Sequence, residues 1–452
     1  MLQKLLYLFL FSSLFCFSKV FSQSIPVILP ERERAAVIDN ILEDRFENLL
    51  PQLMRREGID MWVIISREYN EDPVMKTMLP STWISARRRT IMVFFDPGEG
   101  KPLDKLAIAR YDVGTLLTGE WDLSSNPDQW DALVKVIKTK NPKKIGLNYS
   151  PTYAHADGLT FTEHEEFLNK LPKEFQSRIV SAERLSIGWL ETRTEKEMAV
   201  YPMICRISHQ IIEEAFSEKV IQPGVTTTDD VVWYLRQRVT DLGLDTWFHP
   251  TVDVQRADDK KFDHLRTFAK RPGAQPILPG DLIHVDFGIT YLRLNTDQQQ
   301  HAYILKPGEK DIPESLKKAF VQGNRLQDIL TSKFRSGKTG NEMLSEALKQ
   351  AEGEGIAGSI YSHPIGSHGH AAGPAIGMWD NQKTVKGTGD YPLFENTAYS
   401  IELNVSVKIE EWNKTIRIML EEDGYYDKNG FRFIDGRQKE IFTIPRKLAH
   451  VE

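Results

Sequence analysis

Between residues 30 and 185 the apolar positions switch between helical and strand spacing. "RAAVIDNILEDRFENLLPQLMRREGI" places its apolar residues at the spacing of an amphipathic helix. "MWVIISRE" and "RTIMVFFDPG" are short apolar runs bounded by polar and turn residues, which predicts buried strands, and "KIGLNYS" predicts a third. This half reads as an α/β domain. "TRTEKEM" then carries a capping box, Thr194 with Glu197, and opens a new helix after "ERLSIGWLE". That places a boundary near 185–192 and divides the chain into units at 23–188 and 189–452. The second unit predicts helices over about 194–220 and 228–241, separated by the turn and cap residues of "QPGVTTTDD". A β-rich stretch follows from 280 to 306, then a helix pair over about 313–354 joined through "RSGKTG", a histidine-rich loop, and strands to the C-terminus. The fold class read from this pattern is α+β.

Polar residues interrupt the apolar runs at a few places where they are costly to bury. Asp286 lies inside the apolar run of "GDLIHVDFGITYLRLNTDQQQHAYIL", and Asp297 follows across a hairpin-length connection. Two strand carboxylates facing each other need a shared proton, basic partners or cations. "NTAYSIELNVSV" predicts one strand by alternation, with Ser400, Glu402 and Asn404 on one face. "KTIRIMLEEDGYYD" puts Glu421 and Glu422 at the end of another apolar strand. The loop "SHPIGSHGHAAGP" gathers His363, His368 and His370, three of the eleven histidines in the chain. An oxygen-rich set with an imidazole suits a pair of divalent ions such as Mn, Co, Fe or Zn.

Charge and the chain start narrow the picture further. A net charge of -6 and an isoelectric point near 6.1, with no basic stripe, argue against a nucleic-acid partner. The start "MLQKLLYLFLFSSLFCFSKVFSQS" has Lys4, an apolar run from Leu5 to Phe17, and small residues before a cleavage position at about Ser22. The expectation is a signal peptide over 1–22, a secreted or periplasmic mature protein, and no stable membrane anchor after processing. Cys16 leaves with that segment, so Cys205 remains alone, at apolar helical spacing, as a core filler.

The order Asp286, Asp297, His363, Glu402 and Glu421 resembles that of the dinuclear metallopeptidases of the pita-bread fold: Xaa-Pro aminopeptidases, prolidases and methionine aminopeptidases, with creatinase as a metal-free relative. The resemblance covers nearly the whole mature chain and implies a creatinase-like α/β N-terminal domain before a pita-bread catalytic domain. It implies two divalent metal ions, manganese first among cobalt, zinc and iron, held by Asp286, Asp297, His363, Glu402 and Glu421. Asp286 in "VDFG" and Glu421 in "LEED" would bridge both ions. Glu402 would also serve as a proton acceptor for a bridging water that becomes hydroxide, and His264 in "FDHLR" and His370 would donate to the scissile carbonyl and the oxyanion.

Two positions depart from the family pattern. Gln299 stands where threonine is usual, and three residues separate Arg417 from Glu421, which keeps Glu422 open as the ligand. His249 in "WFHP" is the alternative to His264, and His368 is a polar loop residue without a family role or a ligand in another register. The implied activity is hydrolysis of an N-terminal Xaa-Pro peptide bond, with Xaa-Pro dipeptidase or a related metallohydrolase acting on another amide or an ester as alternatives. A homodimer or higher homo-oligomer goes with that branch of the family. The sequence does not show a proline pocket: the aromatic candidates Trp247, Phe248, Tyr361 and Trp379 each read as core or loop packing rather than as ring-stacking contacts.

Overall fold

The computed structural model describes residues 25–258 and 274–446. Segment 1–22 and His264 therefore lie outside the described residues. Among the described residues no helix is long and apolar enough to cross a membrane.

The first sheet has six strands, β1 (Met61–Arg67), β2 (Arg89–Phe95), β3 (Asp104–Ala107), β4 (Thr118–Gly119), β5 (Ile145–Leu147) and β6 (Ile179–Ser181), in the order β4-β3-β2-β1-β5-β6. Central strand β1 explains why its sequence is a continuous apolar run. Trp62 and Ile64 pack into a core on one face, while Met61, Val63 and Ile65 pack into a second core on the other. The amphipathic stretch expected near the start forms helices Glu31–Asp44 and Leu50–Glu57 around a π-helical turn, Arg45–Leu49. Helix Glu183–Glu191 runs through residue 188, and its Trp189 and Leu190 pack into the first core. Arg45 of the first half pairs with Glu197 at 2.7 Å, and Arg193 pairs with the same carboxylate at 2.7 Å, so a buried ion-pair triad ties the two halves together.

Helix Glu195–Ala215 opens on the Thr194–Glu197 capping box, and helix Thr228–Asp241 matches the expected span. The first of these ends five residues earlier than its apolar pattern suggests, because Ser217 takes over the next turn by accepting from the Val220 and Ile221 amides. The later helix pair is Glu314–Thr331 and Gly340–Gly353.

Three larger sheets and a two-stranded hairpin make up the described strands of this half. Their strands are β7 (Thr251–Gln255), β8 (Leu282–Phe287), β9 (Thr290–Tyr291), β10 (Leu294–Asn295), β11 (Gln298–Ile304), β12 (Gly358–Ile360), β13 (His363–Pro364), β14 (Thr397–Ser400), β15 (Leu403–Ile409), β16 (Lys414–Leu420), β17 (Asp423–Asp427), β18 (Gly430–Phe433) and β19 (Phe442–Ile444). The larger sheets run β19-β11-β8-β7, β12-β15-β16 and β13-β14-β17-β18, beside the short β9-β10 hairpin. Helices Glu195–Ala215 and Thr228–Asp241 share a core with β8 through Ile283, Val285 and Phe287, and the later pair shares another with β15 and β16.

The single strand expected over "NTAYSIELNVSV" is two. Ser400 pairs with Asp423 in one sheet, while Leu403 pairs with Leu420 in the next. The chain changes sheets at Ile401 and Glu402, and its partner changes sheets at the same level, at Glu421 and Glu422. A corner where two paired strands switch sheets together sets Glu402 beside Glu421.

Candidate metal centre

Asp286 and Asp297 reach the corner from a different sheet. Asp286 ends the apolar part of β8, and Asp297 directly precedes β11, which returns antiparallel to it. The β9–β10 hairpin makes the return short, with Leu292 and Arg293 at φ 53° and 63° in its two-residue turn. Both central residues in the left-handed region is the geometry that matches strand twist in a tight hairpin. Gly288 is required there. A Cβ at this position would stand 2.1 Å from the Thr296 carbonyl oxygen and 2.7 Å from Trp247 Nε1, so only glycine lets the segment before Asp297 pass so near β8.

His363 enters from β13, which pairs with Ser400 of β14. Its Nδ1 lies 3.0 Å from the Pro364 carbonyl, and with the proton donated there the Nε2 lone pair faces the carboxylates. Nε2 is 3.7 Å from Asp297 Oδ2 and 3.6 Å from Glu421 Oε1.

Three overlapping groups of residues thus bring their ligand atoms within 4.8 Å of one another: Asp286, Asp297 and Glu421; His363, Glu402 and Glu421; Asp297, His363 and His370. Glu421 belongs to two of them and Asp297 to two, so the groups form one continuous centre. Enclosure and the neighbouring Glu421 charge push Asp286, Asp297 and Glu402 well above the usual carboxylate range. Asp286 Oδ1, Asp297 Oδ1 and His363 Nε2 are buried atoms without a hydrogen-bond partner. Orphaned acceptors converging on one point fit cations, and two divalent ions would balance the charge of the four carboxylates. The donor set, four carboxylates and one imidazole, matches borderline divalent metals.

Glu422 faces away. It accepts from Gln300 Nε2 at 2.9 Å and from the Gln438 amide at 3.0 Å, and its Oε2 meets His209 Nε2 at 2.6 Å. Between the two open choices, Glu421 is the one in the cluster. His249 lies 3.1 Å from Arg236 and packs its ring on Trp233, and it is in none of the three groups.

His370 is exposed and stands edge-on to His363 at 4.7 Å and to Trp247 at 5.2 Å. His368 turns toward the first half of the chain, with Nε2 3.3 Å from the Pro73 carbonyl and its ring 5.0 Å from His155. Burial and the neighbouring His155 pull it down to about 4, so it is neutral at physiological pH. Of the aromatic candidates, Trp247 packs against Phe248 and donates to the Thr296 carbonyl at 2.9 Å, and Tyr361 accepts from Asn404. Trp379 is exposed. Cys205 is fully buried in the core, with burial pushing its thiol up.

Sequence reasoning placed Ser400 on the strand face of Glu402 without giving it a role, and did not single out His284 or His209. Ser400 Oγ donates to Glu421 Oε1 at 2.5 Å. His284 lies two residues before Asp286 on the same face of β8, and that two-residue spacing was the available signal.

The sequence profile of metallopeptidase family M24 matches residues 203–429. No curated protein sequence matches the chain. Among solved structures, the X-Pro aminopeptidase from Thermotoga maritima is 18% identical over 87% of this chain and 99% of that one, with a TM-score of 0.61. The Xaa-Pro dipeptidase from Bacillus anthracis is 17% identical, covering 92% of this chain and 100% of that one at TM-score 0.55. Aminopeptidase P from Escherichia coli is 11% identical, covering 91% and 97% at TM-score 0.57. At these identities the likeness establishes the fold, a pita-bread unit preceded by a creatinase-like one.

Proposed function

Because the chain belongs to metallopeptidase family M24, we propose that it is a dinuclear metal-dependent aminopeptidase that cleaves an N-terminal Xaa-Pro bond. The observation that carries the metal-dependent part is the convergence of Asp286, Asp297, His363, Glu402 and Glu421 with unpartnered acceptor atoms turned toward one another. The proline and aminopeptidase parts draw support from the similar structures, whose titles name X-Pro aminopeptidase, Xaa-Pro dipeptidase and aminopeptidase P. Dipeptidase action is the alternative those same titles support.

When bound, two divalent cations polarise the scissile carbonyl and lower the pKa of an attacking water; manganese is our first choice. The chain's own residues do the rest. Glu402 sits at the corner between the sheets, where it accepts a proton from the water and passes it to the leaving nitrogen. His370, exposed beside His363, donates to the carbonyl oxygen as negative charge develops on it. His264 is the second donor in this reading. We also propose that residues 1–22 are removed to give a secreted or periplasmic enzyme, and that it works as a homo-oligomer. N-terminal sequencing of the mature protein and its sedimentation test those two points.

The decisive assay incubates purified mature protein with Xaa-Pro-Yaa peptides of increasing length and Mn²⁺, with a chelator-treated control, and reads products by mass spectrometry. Chelator-sensitive release of the first residue from tripeptides and longer peptides is expected. Cleavage of Xaa-Pro dipeptides alone selects the dipeptidase reading, and cleavage only of other amides or esters overturns the proline assignment.

A further inference from the structure

Gln299 lies where the candidate ligands meet. Its side-chain nitrogen is 2.6 Å from Glu402 Oε1 and 2.6 Å from Glu421 Oε2, donating to both. Its Oε1 accepts from His284 Nε2 at 2.9 Å. The reversed amide would set an oxygen against two carboxylates and a nitrogen against an N–H donor, so the chemistry of the neighbours fixes the orientation. The backbone adds two more bonds to the same neighbour. The Gln299 amide donates to the Glu421 carbonyl at 2.9 Å, and the Glu421 amide returns a bond at 3.3 Å. Gln299 also pairs with Asp286 in the β8–β11 register and is 3% exposed.

We propose that Gln299, oriented by His284, is the positioning residue that fixes Glu402 and Glu421 for cation binding. Two carboxylates side by side repel and would otherwise rotate apart; one amide with two hydrogens holds both, and each keeps lone pairs for metal. His284 is itself fixed. It stands across the ladder from His301, whose ring is 5.1 Å away and whose Nδ1 and Nε2 engage the Ile283 carbonyl and the Met419 amide. The support therefore runs from a buried histidine pair through Gln299 to the two carboxylates. This inference rests on the metal-binding part of the proposed function and is independent of the proline assignment.

The test titrates chelator-stripped full mature protein with Mn²⁺ by calorimetry, with circular dichroism and thermal unfolding as controls for folding. Gln299→Met keeps the length of the side chain and removes both donors, and its Mn²⁺ affinity is expected to fall about 10- to 100-fold, as for other residues that orient metal ligands. His284→Leu is expected to weaken binding in the same direction by less, and His284→Gln, which retains a donor, to restore it. The double variant Gln299→Met/His284→Leu should lose no more than Gln299→Met, because His284 acts through Gln299. A folded Gln299→Met protein with affinity within about twofold of wild type, on the same scale, overturns the proposal, and so do fully additive losses. If Gln299→Met does not fold, the His284→Leu and His284→Gln pair decides, and unchanged affinity in His284→Leu overturns it. Wild-type protein that binds Mn²⁺ without cleaving Xaa-Pro peptides overturns the substrate reading and leaves this one standing, while wild-type protein that binds no Mn²⁺ overturns the metal centre itself.

Discussion

Replacing His209 by leucine removes the cation that pairs with Glu422, the buried carboxylate next in sequence to Glu421. His209 Nε2 is 2.6 Å from Glu422 Oε2 and its Nδ1 is 2.9 Å from Asp435 Oδ2, with 12% of the side chain exposed. Burial alone would drive the imidazole down, but the Glu422 charge and the bonds to Glu422 and Asp435 override it and raise His209 from 6.5 to about 10. The ring is therefore a charged clamp between helix Glu195–Ala215, the β16–β17 junction and the loop at Asp435. In His209→Leu, Asp435 keeps Arg206, whose Nε lies 2.7 Å away, whereas Glu422, 1% exposed, is left among the described residues with the neutral donors of Gln300 and the Gln438 amide. Breaking a buried pair in this way costs about 3–5 kcal/mol. For a unit of this size that is a fall in Tm of roughly 6–20 °C near neutral pH. The pH dependence carries the sign. A folded-state pKa raised above the unfolded value gives stability that is complete below pH 6.5 and is lost as pH rises through about 10. Scanning calorimetry of both proteins from pH 6 to 10.5 should show a gap that is widest near pH 6 and narrows progressively as pH rises from about 6.5 toward 10. An unchanged Tm for His209→Leu at pH 7, or a gap that stays constant to pH 10.5, would refute the reasoning.

Three further outcomes are expected. Glu402→Gln should reduce kcat on Xaa-Pro peptides by about 100-fold or more, the scale of a lost proton carrier, with circular dichroism unchanged; full activity would remove Glu402 from its catalytic role. His155→Ala removes the ring of the first half that packs on His368 in the histidine loop, so kcat should fall several-fold more than KM rises in a steady-state comparison. Gly288→Ala places a methyl group against the Thr296 carbonyl, which should cost about 1–3 kcal/mol of overpacking and lower Tm in a thermal unfolding experiment.

Elements governed by local chemistry were legible in the chain, and the contacts between them were not. The capping box at Thr194 and Glu197, the span 228–241 and the two-sided burial of β1 follow from nearest neighbours and residue spacing, and they stand in the structure as read. The alternation of "NTAYSIELNVSV" was equally clear but pointed to one strand, because periodicity reports which face a residue takes and not which sheet it joins. The switch at Ile401 and Glu402 is decided by a partner that changes sheets at Glu421 and Glu422, some twenty residues further on. The candidate ligands reach one point for the same reason: two come from the β8–β11 pair, two from the sheet-switching corner and one from β13, and spacing along the chain carries no distance between them. Glu421 and Glu422 show the limit most sharply. As adjacent residues at a strand end they are equivalent in sequence, and what separates them is what waits on each side, three other carboxylates with His363 on one and the His209 imidazolium on the other. The turn of Glu421 into the carboxylate cluster thus goes together with the turn of Glu422 the opposite way, onto a cation inside the protein.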